Sequence, residues 1–167
     1  MRTARMLLVV LGAVLVLGVA HWDILGKQAI VAHGREILLP LRPVDPRSLI
    51  QGDYMRLRYR ASVHPDKAAA ALPRRGTVVL ALDGDGVGAY ARPDDGTALA
   101  PGEARLRYMA RHRDGTLRYG GESFFFQEGD AALYRDAKYG RLRVDDAGRA
   151  VLVGVAGEDR RPLGHAR

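Results

Sequence analysis

No cysteine occurs among the 167 residues. Its absence removes thiol nucleophiles, disulfide bridges and thiolate metal sites from consideration. It leaves the compartment open, because an extracytoplasmic domain with a sufficient core does not need disulfides. Lysine is nearly absent as well: Lys27, Lys67 and Lys138 are the only three, so arginine carries almost all of the positive charge. Lys and Arg total 26 against 19 Asp and Glu, a formal charge of +7. These basic residues are interleaved with acidic ones and form no Lys/Arg run of the kind that marks a nucleic-acid arm. The charge therefore reads as a solvated arginine-rich surface, with no nucleic-acid partner. The five histidines (21, 33, 64, 112 and 165) show no metal-ligand spacing. Phosphate-binding P-loops, Rossmann glycine turns and G-x-S-x-G elbows are also missing. Asp83-Gly84-Asp85-Gly86 opens like a calcium loop, but Val87 stands where a third oxygen ligand belongs and no Glu follows at the right distance. No cofactor, metal ligand or catalytic residue is assigned from these patterns.

The chain does hold one long apolar run. Arg2 and Arg5 precede an uninterrupted apolar stretch from Met6 to Ala20, and Trp22 stands at its far end. Counted through Gly26, the segment is long enough to cross a bilayer, with Trp22 at the interfacial position aromatic residues favour. The competing reading is a signal peptide cleaved after Ala20, since Gly18-Val19-Ala20 is an acceptable small-residue site. Either way, Arg2 and Arg5 hold the N-terminus inside, and the remainder of the chain is expected outside the cytoplasm. Residues 1–26 are accordingly read as anchor or signal sequence, with residues 6–26 in the lipid, and residues 27–167 as one extracytoplasmic domain.

That domain reads as mainly β. "REILLPLRPVDP" alternates and then breaks at Pro43 and Pro46. "SLIQGDYMRLRYR" comes next, where Gly52 and Asp53 lead into a strand. Met55, Leu57 and Tyr59 fall on one face of it; Tyr54, Arg56, Arg58 and Arg60 fall on the other. "HPDKAAAALP" predicts a short helix. "GTVVLALDGDGVGAYAR" predicts a hairpin around the Asp-Gly pairs. "ARLRYMARHR" is a further strand, and Phe124 to Phe126 are expected in the core. "EGDAALYRDAKYGR" predicts a helix capped by Asp130 and ended by a left-handed Gly140. "RLRVDDAGRAVLVGVA" predicts a last strand pair, with a loose polar tail after Gly157. The sum is an antiparallel domain, sandwich or barrel-like, with one or two short helices after an N-terminal transmembrane helix.

Gly52, Asp53, Tyr54, Leu57 and Tyr59 match the signature of the bacterial GDYXXLXY family, and Pro43-Val44-Asp45-Pro46-Arg47 resembles what precedes it there. The resemblance runs over nearly the whole chain after the anchor. It implies a small membrane-anchored protein of the bacterial inner membrane, single-pass and periplasmic, with no established catalytic residues to carry over. It also implies a setting beside multi-pass membrane proteins, one of which is the expected partner. Asp53 is read as bonding loop N–H groups, and Asp45 with Arg47 as bracing the double-proline turn. Arg56, Arg58 and Arg60 form the candidate docking face, because Arg and Tyr supply much of the energy of interfaces. The alternative is an envelope hydrolase or peptidase using Ser48 or Asp53, with a signal-peptidase-like β architecture.

Overall fold

The computed structural model describes residues 2–42, 50–51, 54–62, 72–111 and 116–164. The expected helix at 64–73 therefore lies almost wholly outside the described residues.

Helix α1 spans Arg2–His33. Leu, Val and Ala fill its first two-thirds, with neither proline nor an acidic residue before Asp23 to interrupt it. Its apolar side chains face outward: Leu11, Leu15 and Val19 are about two-thirds exposed, and Trp22 is 81% exposed. The segment Val9–His33 is long and apolar enough to cross a membrane, at roughly 38 Å against a ~30 Å hydrocarbon core. The helix runs past Gly26 and is buried only near its end, where Ile30 is 5% exposed. Gly34 closes it, donating its N–H to the Ile30 carbonyl at 2.8 Å. Strand β1, Arg35–Pro40, begins at the next residue.

The remaining strands are β2 (Ile50–Gln51), β3 (Tyr54–Arg56), β4 (Arg75–Leu82), β5 (Gly88–Pro93), β6 (Glu103–Ala110), β7 (Leu117–Arg118), β8 (Ser123–Phe125), β9 (Tyr139–Val144) and β10 (Ala150–Ala156). They form three antiparallel sheets, ordered β1-β9-β10, β2-β3-β8 and β5-β4-β6-β7. Two single bridges join them. Leu38 pairs with Val87 in parallel, and Leu41 pairs with Tyr59 antiparallel. The result is a curled half-barrel, which settles the choice between sandwich and barrel-like. The β9–β10 turn helps the sheet curl: the Gly148 carbonyl accepts the Arg107 N–H of β6 at 2.8 Å. A Cβ on Gly148 would meet the Arg105 and Arg107 backbone at 3.2 Å, and its φ is +78°, so glycine is required there on two counts.

The core lies inside the curl, with Ile37, Leu39, Leu80, Leu106, Leu142 and Val155 all at 1% exposure or less. The hairpin expected around Asp83 forms: its carboxylate accepts the N–H of Asp85 at 2.9 Å and of Val87 at 2.8 Å.

Three local expectations need correction. Residues 130–138 do not form an α-helix; a five-residue 3-10 turn, Asp130–Tyr134, stands there with Gly129 rather than Asp130 at its N-cap. Gly140 is not a helix terminator but a residue of β9, placed against the Tyr59 ring. The tail is tied down through Gly164, since Ala156 bridges Pro162 and the Leu163 N–H reaches the Val155 carbonyl at 2.9 Å.

Candidate functional site

The signature segment divides its residues by parity, as the alternation predicts, although the strand expected over 54–60 ends at Arg56. Met55 and Leu57 are 2% exposed and Tyr59 is fully buried, while Arg56, Arg58 and Arg60 are exposed. β3 pairs with β8 in the register Tyr54 to Phe125 and Arg56 to Ser123. Directly opposed residues share a face, so Tyr54, Arg56, Ser123 and Phe125 stand together on the outer one. The Tyr54 and Phe125 rings lie 5.7 Å apart. Phe125 is 73% exposed, which corrects the expectation that all three phenylalanines are core; alternation sends only Phe124 and Phe126 inward, against Tyr134.

Tyr59 is the inner anchor. Its hydroxyl donates to the Gly121 carbonyl, and its ring occupies the space a Cβ on Gly140 would need, with Cε1 only 2.6 Å away. Tyr119 packs 6.2 Å from it, ring centre to ring centre, and donates to the Ala61 carbonyl at 2.6 Å. Burial pushes both phenols well above the ordinary tyrosine range, and the Glu122 charge adds to the effect. The folded state thus holds these protons more tightly than the unfolded chain, where tyrosine titrates near ~10. The contribution is complete below that pH and is lost as pH rises toward the folded values. Melting followed against pH should show a plateau that ends near ~10, then a decline of about 1.4 kcal/mol per pH unit for each of the two groups. Tyr119→Phe should make that decline shallower; an unchanged slope would show that the buried phenols do not set it.

Arg56 and Ser123 of the outer face also line a cleft of about 490 Å³, whose charged walls are Arg42, Arg56, Arg58, Arg111, Arg118 and Glu122. Chain segments far apart in sequence bring these residues together. The Arg42 N–H bonds the Arg58 carbonyl at 2.7 Å, the Arg111 N–H bonds the Thr116 carbonyl at 3.0 Å, and the Leu57 N–H bonds the Glu122 carbonyl at 2.8 Å. Leu57 and Leu117 are buried beneath it. Glu122 is already engaged, accepting the N–H groups of Tyr119 and Gly120 around a tight turn, with Arg118 at 3.7 Å. Arg60, grouped with Arg56 and Arg58 by alternation, begins a 3-10 turn, Arg60–Ser62, and does not line the cleft. Sequence reasoning misses Arg42, Arg111, Arg118 and Glu122, because nothing in the chain distinguishes them from the many other charged residues at strand ends.

Gly52 and Asp53 lie outside the described residues, as do Pro43, Asp45, Pro46, Arg47 and Ser48. No cluster of three or more His, Asp or Glu able to hold a metal occurs among the described residues.

The family model described as "GDYXXLXY protein" matches residues 16–155. The chain belongs to the GDYXXLXY family. No curated protein and no solved structure matches the chain. In this GDYXXLXY protein the last three fixed letters of the signature have separate duties. Tyr54 takes the outer face beside Phe125, whereas Leu57 and Tyr59 are core.

Proposed function

We propose that this GDYXXLXY protein is a membrane-anchored extracytoplasmic accessory domain, non-enzymatic, that docks on a multi-pass membrane protein. The observation that carries the reading is the outer face of β3 and β8, where Tyr54 and Phe125 stand beside Arg56 and Arg58. An exposed phenylalanine beside a half-buried tyrosine, next to exposed arginines, is the composition of an interface centre rather than of an inert surface. The exposed apolar helix supports the anchor, and Arg2 and Arg5 support an N-terminus held inside. Nothing among the described residues favours the hydrolase reading built on Ser48 or Asp53.

The test is affinity purification of the full-length protein from its own membranes in mild detergent, with Arg56→Glu and Arg58→Glu combined in parallel. Recovery of a multi-pass membrane protein should fall at least tenfold with the variant, about 1.4 kcal/mol of binding. Melting should stay within about 2 °C, since both side chains are exposed. Equal recovery with both proteins would remove the docking face.

A further inference from the structure

The cleft gathers Arg42, Arg56, Arg58, Arg111 and Arg118 on a single lining. Several strand arginines outside it pair with carboxylates: Arg92 with Glu103 at 3.0 Å, Arg105 with Asp94 at 2.9 Å, Arg141 and Arg143 with Glu36 at 2.9 and 3.2 Å, and Arg149 with Asp145 at 2.7 Å, whereas Arg35 and Arg107 reach only backbone carbonyls. Arg42, Arg56, Arg58 and Arg111 have no carboxylate partner within 4.0 Å among the described residues. Among the described residues, five guanidinium groups therefore line one concavity against a single carboxylate, and that carboxylate is committed to the Tyr119–Gly120 turn. Like charges gathered on one lining repel one another, and a bound anion offsets that repulsion.

We propose that this cleft is an oxyanion site for a ligand bearing two or more phosphate charges, of the diphosphate class. The chemistry selects phosphate over carboxylate. A carboxylate offers two oxygens and one charge, which one guanidinium fork satisfies. A phosphate group presents three acceptor oxygens and up to two charges, so several forks approaching from different walls each find a partner. The volume falls in the range of small-ligand pockets and exceeds what one phosphate fills, which leaves room for a second. The hydroxyls of Ser62 and Ser123, both in the lining, add neutral hydrogen-bonding groups. The phosphate arrives either as a free ligand or as a lipid headgroup. This goes beyond the docking reading, because Arg42 and Arg111 belong to the cleft and not to the outer face of β3.

Titration calorimetry of sodium pyrophosphate into the full-length protein in nanodiscs of phosphatidylcholine tests the site. Saturable one-to-one binding is expected, at least tenfold tighter than orthophosphate and weakened by added salt. Arg42→Gln with Arg111→Gln should reduce the affinity at least tenfold without changing the melting temperature. The single variants serve if the pair fails to fold. A second arm repeats the titration in nanodiscs containing cardiolipin: competition identifies the headgroup as occupant, and unchanged binding identifies a free diphosphate. Absence of saturable binding in both arms, or binding indifferent to the arginine variants, overturns the site. If partner recovery then still depends on Arg56 and Arg58, the cleft serves protein docking alone.

Discussion

Tyr59→Ala is expected to cost about 4 kcal/mol of stability, the scale of emptying a fully buried aromatic position. Tyr59 has no exposed surface, touches the position of Gly140, and bonds the Gly121 carbonyl. It is also one half of the Leu41–Tyr59 bridge that ties the chain just after β3 to the chain just after β1. Truncation therefore leaves a cavity where three parts of the half-barrel meet, and leaves a buried carbonyl without its donor. For a domain of this size the change corresponds to a fall in melting temperature of roughly 15 °C. Tyr59→Phe separates the two components. It keeps the ring and removes only the hydroxyl, so about 1–2 kcal/mol is expected. Thermal melts of the three proteins in detergent decide the matter. Equal losses for Ala and Phe would mean that the hydrogen bond, and not the ring, holds the sheets together.

The second large effect is expected at Gly34. A Cβ there would stand 2.5 Å from the Ile30 carbonyl oxygen and 3.0–3.1 Å from the backbone of Val144. All of these are main-chain atoms of packed elements, so none can rotate aside as a side chain would. Gly34→Ala must push helix α1 away from β9, at a cost of about 1–3 kcal/mol. The clash involves the helix end and the end of β9 and not the interior of the core, so the strain should show as local opening rather than global unfolding. Limited trypsin digestion reports it. Lys27 and Arg35 flank the junction, and cleavage at both should accelerate in the variant while the domain's own melt shifts by only a few degrees. A digestion pattern identical to wild type would mean that the helix end already moves freely.

How much of the fold can be read from sequence depends on the range over which each signal acts. The apolar helix, the Asp83 hairpin and the β9–β10 pair are local features, set by apolar runs and glycine turns, and they appear where expected. So does the inner and outer parity of Met55 through Tyr59, which needs only a pleated backbone. Gly140 reads wrongly as a terminator because a glycine after a helix-like stretch has the same appearance whether it serves a left-handed cap or a close approach. The ring that demands it is Tyr59, far away in sequence. The 3-10 turn at 130–134 reflects the same limit, since Tyr134 turns inward to meet Phe124 and Phe126 instead of continuing a helical face. The triple phenylalanine reads as one apolar block, although strand alternation splits it. The cleft is least legible of all. Its walls come from the ends of β1, β3, β6 and β7 and from the turn before β8, and only the folded sheet brings them together.

The junction at Gly34 has a consequence for how the domain finds anything at all. A flexible connector of ten residues would let a domain wander through about 17 Å, searching a volume and accepting partners at many heights. Here one residue separates helix from strand, and Ile30 is seated against the sheet. With the helix in a bilayer, the half-barrel rides at a constant elevation and turns only as the helix turns. Encounter becomes a two-dimensional problem in which lateral diffusion and spin about one axis replace free tumbling. A partner that presents its contact at the wrong height is never met, however well its surface matches.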